Sequence, residues 1–239
     1  MRGRVPPRSV DEIAEAAARV FMTKGYRAAG VSDVSAALGL SHGAVYTYAK
    51  SKEALLYLAL LHLTRPESLA GLDIPVVRPA PGEIVAVVEA WAADHEVLPV
   101  LTGASGGRRR HVAVAEEFGE IIDELYEFVE TNRRLLALVE RCAQDLPELA
   151  RFYFVQRRRN LLADLGDYLR RRIRSGTLRP VPDVAAAARF VVETVTWFAW
   201  HRIDDPDSAM LDDEVSRRTV RHLLLAAFLP EPDLARAPT

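Results

Sequence analysis

The sequence predicts an all-α chain with a small N-terminal domain and a larger C-terminal one. Three observations carry this reading. Apolar residues recur at helical spacing along most of the 239 residues, strand-like alternation is confined to 73–78, and a proline-rich stretch breaks the helical texture at 65–82. A content of 49% hydrophobic and 27% charged residues is that of a chain able to bury a core.

Each element follows from local chemistry. Ser9 followed by Glu12 makes a capping box, and Val10, Ile13, Ala14, Ala17, Val20 and Phe21 keep helical spacing, so a first helix is expected over 9–24. A short second helix fits 32–38, ended by Gly39 in the left-handed conformation. Ser41 is expected to cap a third helix running to Tyr48, and Ser51 a fourth over 52–64, whose leucines are apolar nearly all round. Pro66, Pro75, Pro79 and Pro81 then mark a connection over 65–82. Further helices are expected over 83–98, 110–142, 147–175, 183–202 and 212–228, with a mobile glycine-rich loop at 103–107 and a frayed tail from 230. The domains are thus 1–64, the connection 65–82, and the body 83–229.

The net charge of −2 conceals an asymmetry. Residues 1–52 hold eight Lys/Arg against four acids, so this head carries +4 and the remainder −6. A basic head on an acidic body suits an anion-binding module, with nucleic acid as the commonest partner. The longest stretch free of Asp, Glu, Lys and Arg, 34–49, contains Gly, Ser, His and Thr and fits no membrane span. The first twenty residues are repeatedly charged, so neither a signal peptide nor an anchor is expected and the chain reads as cytoplasmic. A single cysteine, Cys142, excludes an internal disulfide framework and a thiolate-built zinc site. No two of the six histidines lie three or four apart, and HExxH, GxSxG and phosphate-loop patterns are absent, so no catalysis, metal or cofactor is expected.

Two short helices joined by Gly39, Leu40 and Ser41 have helix-turn-helix spacing, with the glycine making the turn and the leucine filling the angle. The run Gly25-Tyr26, Val31, Asp33-Val34, Ala37, Leu38-Gly39-Leu40-Ser41, Gly43, Val45-Tyr46, Tyr48, Ser51-Lys52-Glu53 and Leu55 resembles the DNA-binding signature of the TetR family of bacterial transcriptional regulators. The resemblance covers 9–55. It implies a three-helix head that binds DNA, a fourth helix linking it to a larger helical domain, and in that domain effector binding and dimerisation. Two positions depart from the family pattern: Ala29 and Gly30 stand where Thr or Ser usually precedes Val31, and Ala49 stands in place of an aromatic. The first leaves the cap of helix two to Gly30 or Ser32, and the second removes volume from the core of the head.

In this register the third helix enters the major groove. His42 presents a ring nitrogen to a base edge, Gly43 allows close backbone approach, Tyr46 reaches a thymine methyl or a phosphate, and Thr47 and Tyr48 offer hydroxyls to phosphate. Lys52, at the start of helix four, is expected on a phosphate. The family position of Ser32 implies contact with the DNA backbone or a base. Taken alone, the tyrosines read as half-buried core ahead of DNA contacts and His42 as a solvated cap residue, and the register reverses the order for the tyrosines. The arginine runs 108–110, 157–159 and 170–172 read as solvated faces paired with acids such as Asp164 and Asp167.

The body offers candidates for an apolar effector pocket in Trp91, Phe118, Ile122 and Phe152, with His95 and Gln156 as polar handles; plain core and solvent exposure are the competing readings. Leu162, Leu165 and Leu169, together with Ala188, Val192, Val195 and Ala199, give two helix faces suited either to a homodimer interface or to packing inside one subunit. Cys142 reads as a buried thiol before a redox switch. The expected function is a repressor binding a palindromic operator as a homodimer and released by a small, largely apolar effector. The alternative is a helical small-molecule sensor whose head no longer reads DNA.

Overall fold

The computed structural model describes residues 8–95, 98–105 and 113–230. Among them all regular structure is helical apart from one isolated bridge. The helices are α1 (Val10–Ala28), α2 (Val31–Leu38), α3 (His42–Val45), α4 (Lys52–Thr64), α5 (Glu83–Asp94), α6 (Pro99–Ser105), α7 (Val114–Ala143), α8 (Pro147–Ala150), α9 (Arg159–Arg174), α10 (Val184–Ala199) and α11 (Asp213–Phe228). Arg151–Arg158 is a π-helix, and Pro66–Gly71 and His201–Ile203 are 3₁₀ turns. No described helix is long and apolar enough to cross a membrane.

The chain forms two compact units. The first holds the residues up to His95 together with Arg134–Gln156, and the second holds Glu96–Arg133 and the chain from Arg157. The first unit is built around α4, whose Ala54, Leu55, Leu56, Leu58, Ala59 and Leu60 have no exposed surface. A helix apolar nearly all round needs cover on more than one side. Packing of α1 and α5 on α4 supplies it. Thus α5 and the end of α7 cluster with the head, whereas the proline-rich connection suggests a boundary before them.

Local chemistry explains most helix ends. The Ser9 capping box forms, with the Ser9 hydroxyl accepting from the Glu12 amide and the Ser9 amide donating to Glu12. At α2 the cap is Gly30, whose amide donates to the Asp33 carboxylate at 2.8 Å. Gly39 ends α2 at φ 64, and Gly25 breaks the helical path of α1 at φ 77. Expected helix 83–98 stops at Asp94. Pro99 lacks an amide proton and disfavours helical geometry at Leu98, and it opens α6 instead. Expected helix 147–175 is three segments, α8, the π-helix and α9. Residues 103–105 of the expected mobile loop belong to α6. Residues 106–107, the run 108–110 and the tail from 231 lie outside the described residues.

In the second unit α9 and α10, α10 and α11, and α6 and α9 pack together. The first half of α7 contributes Phe118, Ile121, Ile122, Leu125 and Tyr126, all fully buried. Phe118 stacks on Tyr168 of α9 and meets Phe228 of α11 edge-on. Glu117 is buried without exposed surface among them; it is paired with Arg172 and accepts the Tyr168 hydroxyl at 3.1 Å. Burial, reinforced by the neighbouring Glu117 carboxylate, raises the Tyr168 phenol above its ordinary value.

Candidate nucleic-acid interface

The turn Gly39–Ser41 sets α3 against α2, and the chain between them is closed by the Leu40 amide donating to the Ser35 carbonyl at 2.9 Å. Val45 is the buried anchor of α3, while Ser41, His42, Gly43 and Thr47 are exposed and Ala44 and Tyr46 half-buried. The Ser41 hydroxyl makes no cap bond, so it caps α3 through backbone geometry alone. The regular helix ends at Val45, with turns continuing to Tyr48. His42 meets Tyr46 edge-on at 5.3 Å between ring centres, one turn apart on the same exposed side. Ser32 is exposed at the start of α2. Two of the expected hydroxyl donors are already engaged: Thr47 donates to the Ala44 carbonyl at 2.7 Å, and Tyr48 to the Arg8 carbonyl at 2.8 Å. Each oxygen retains acceptor capacity only, which a phosphate cannot use.

Lys52 sits where the sequence places it, at the first turn of α4, but its ammonium is seated on carbonyl oxygens. It donates to Tyr26 at 2.9 Å, Ala29 at 3.1 Å and Arg27 at 3.4 Å, and lies over the Tyr26 ring. These carbonyls are among the orphans at the end of α1, so the cation caps that helix. Arg27 is held from another side. Its amide donates to Asp145 at 2.7 Å and its guanidinium pairs with the same carboxylate at 3.3 Å. No local signal joins Arg27 to Asp145, because 118 residues separate them. The Arg141 side chain fills the space beside Gly25, and Arg134 pairs with Glu15 at 2.6 Å. The end of α7 is thereby fastened to α1.

Ala49, expected to leave the head short of core, is fully buried beneath the returning chain. Cys142 is also buried, and burial pushes its thiol up to about 12, which leaves no thiolate for redox chemistry.

Of the effector candidates, the structure brings together Trp91 and His95, stacked 4.7 Å apart, with the Trp91 carbonyl bonded to His95 Nδ1 at 2.7 Å. Trp91 is buried and His95 exposed. Phe152 is buried and Gln156 exposed on the π-helix of the same unit. Phe118 and Ile122 belong to the core of the other unit. The interface candidates Leu165, Leu169, Ala188, Val192, Val195 and Ala199 are buried within the chain, and Leu162 is half-buried. Six of these seven residues are thus already covered by their own chain, and Leu162 keeps part of its surface. Asp205 accepts from the Asp207 amide and the Ser208 hydroxyl, so Asp204, Asp205 and Asp207 belong to a turn around Pro206.

Comparison with known proteins matches this architecture. Residues 13–57 match the family model for bacterial regulatory proteins of the tetR family, and residues 127–227 that for the C-terminal domain of AefR-like transcriptional repressors. No curated protein matches. Among solved structures, the ketosteroid transcriptional regulator KstR2 of Mycobacterium tuberculosis is 20% identical, with 95% of this chain and 100% of that one covered at a TM-score of 0.55. AibR, in complex with isovaleryl coenzyme A and operator DNA, is 17% identical over 90% and 97% at 0.53. A tetR-family regulatory protein from Rhodococcus RHA1 is 18% identical over 93% and 97% at 0.51. At these identities the structures speak for the fold alone. The two family models together cover well over half of the chain, so, with a helix-turn-helix head and a helical C-terminal region in the expected order, this protein belongs to the TetR family of transcriptional regulators.

Proposed function

We propose that the protein is a transcriptional repressor that binds a palindromic operator as a homodimer and is released by a small effector. The observation that carries this reading is the face of α3, where His42 and Gly43 are exposed and the half-buried Tyr46 meets His42 edge-on one turn later. His42 reads a base edge, Gly43 admits the backbone to the groove, Tyr46 meets a thymine methyl or the backbone, and Ser32 binds phosphate. Thr47 and Tyr48 line the same side through van der Waals contact, since their protons are engaged. Lys52 acts by holding the end of α1.

One reading helix per chain covers too few base pairs for useful specificity, so a two-fold dimer with heads about 34 Å apart is required. Its surface draws on the apolar residues that α10 and α11 leave exposed, Phe190, Trp197, Val215 and Leu223. The effector is largely apolar, with Trp91 and Phe152 as its apolar contacts and His95 and Gln156 as polar handles. The isovaleryl coenzyme A of AibR and the ketosteroids named for KstR2 open the panel of compounds to test. The alternative, a sensor that no longer reads DNA, rests on the altered cap of α2 and on Ala49; Gly30 caps α2 and Ala49 is buried, so neither feature favours it.

The test is a gel shift with duplex DNA from beside the protein's own gene, repeated with His42→Ala and with each compound. Expected are a shift with wild type, relaxed preference at one base per half-site with the variant at a cost of about 1–3 kcal/mol, and release by one compound. Absence of any sequence-preferring shift overturns the reading.

A further inference from the structure

The chain leaving α4 turns through Pro66–Gly71 and comes back to the head. There the Val76 amide donates to the Tyr48 carbonyl and the Val76 carbonyl accepts from the Lys50 amide, both at 2.8 Å. This is a parallel bridge between Val76 and Ala49, with the returning strand lying directly beside the residues that follow the reading helix. The register is exact in a useful way. Ala49, where the family carries an aromatic, has no exposed surface and is bridged to the returning segment.

Two residues beyond the bridge, Arg78 pairs with Glu53 on the first turn of α4 at 2.9 Å, yet its side chain is 72% exposed. A guanidinium has five N–H donors in a planar fork, and one carboxylate oxygen engages one of them. Lys50, also exposed, has no ion-pair partner among the described residues. Next to Arg78 in sequence Val77 is 70% exposed, and Ile74 is half exposed on the same segment. Ala80 donates its amide to Glu83 at 2.6 Å, which stops the strand and starts α5. Asp73 is the one acid in 72–78, and it lies at the end away from Arg78.

The exposed Lys50, Val77 and Arg78 thus belong to two segments joined by backbone hydrogen bonds at the end of the reading helix. We propose that the segment 72–78 is a wing that lies along the duplex outside the bases read by α3, with Lys50 and Arg78 on phosphates of the flanking backbone and Val77 against deoxyribose. Phosphate contacts of this kind position a reader and strengthen binding without sequence preference. This inference rests on the DNA-binding reading above and adds a second element to it.

The experiment uses the full chain and a duplex enriched by the wild-type protein from a random-sequence pool. Binding is measured over a salt series on the enriched duplex and on the same duplex trimmed to its inverted repeat. The variant Lys50→Ala/Arg78→Ala is expected to bind the long duplex at least about tenfold more weakly at physiological salt, with a salt slope lower by about four, two lost contacts from each subunit of the dimer. On the trimmed duplex it binds as wild type does. Arg78→Lys keeps the charge and retains the wild-type slope, and equal melting temperatures separate contact loss from a loosened head. Equal affinity and slope for wild type and the double variant on the long duplex overturn the wing while leaving the DNA-binding reading intact. Failure of wild type to enrich any duplex overturns both.

Discussion

The ammonium of Lys52 lies 2.9 Å from the carbonyl oxygen of Tyr26 and 4.4 Å from the centre of the same residue's ring. The contact ties the first turn of α4 to the end of α1. Burial, with Glu53 beside the hydroxyl, pushes the Tyr26 phenol up to about 12, so the ring stays neutral beneath the cation across the physiological range. Replacing Lys52 with Ala strands three carbonyls and is expected to cost about 1–3 kcal/mol of stability. Thermal melting and DNA binding are to be measured together. Lower Tm with an unchanged salt slope is the expected pair of results; an unchanged Tm with a slope flatter by about two, one contact per subunit, would put Lys52 on a phosphate instead.

Glu117 is the most deeply buried acid of the second unit, paired with Arg172 and bonded to Tyr168, and its second oxygen has no partner among the described residues. Glu117→Leu leaves Arg172 uncompensated and is expected to destabilise by about 3 kcal/mol. The double variant Glu117→Leu/Arg172→Leu should recover most of that loss, because it removes both charges together. Denaturant melts of the four species of the cycle give the coupling directly.

Cys142 should resist alkylation. With its thiol raised to about 12 by burial, the thiolate fraction near pH 8 is on the order of one in ten thousand. Iodoacetamide labelling followed by mass spectrometry is expected to be negligible for the native protein and complete in denaturant. Rapid native labelling would show that the end of α7 opens readily.

The Asp33 carboxylate is held below its ordinary value by the Lys24 ammonium at 2.6 Å and the Gly30 amide. A folded-state value lowered in this way contributes stability that is present above the unfolded value near ~3.9 and is lost as pH falls through the lower folded one. Wild type should therefore melt above Asp33→Asn at neutral pH, with the gap closing in acid. A gap that persists undiminished below pH 2 would mean that the carboxylate charge is not its source.

The two faces of α10 should respond differently to charge. Phe190 is 54% exposed, whereas Val192 is buried inside the chain. Phe190→Glu is expected to yield a folded monomer, and Val192→Glu to unfold the second unit, by sedimentation and circular dichroism. A folded dimer in Phe190→Glu would place the interface elsewhere.

The helix-turn-helix was legible because its determinants are local. A left-handed Gly39, the capping pair Ser9 and Glu12, and a buried Val45 one turn from an exposed His42 are features of a few adjacent residues. The same holds for α4, found at its expected bounds. The all-α class itself followed from periodicity, and the register of the head from the run between Gly25 and Leu55.

What tertiary structure alone decided are the contacts between distant segments. Lys52 stands at the first turn of α4, beside a charged partner in any sequence-level reading, and only packing brings the carbonyls of Tyr26, Arg27 and Ala29 within its reach. Val192 and Phe190 share one helix and are both apolar, and which of them is covered depends on where α9 and α11 pack. Ala49 looks like missing volume until Val76, 27 positions later, closes over it. Periodicity specifies that a face is apolar, and the identity of the partner is settled by the free energy of the whole packed unit, to which every other segment contributes.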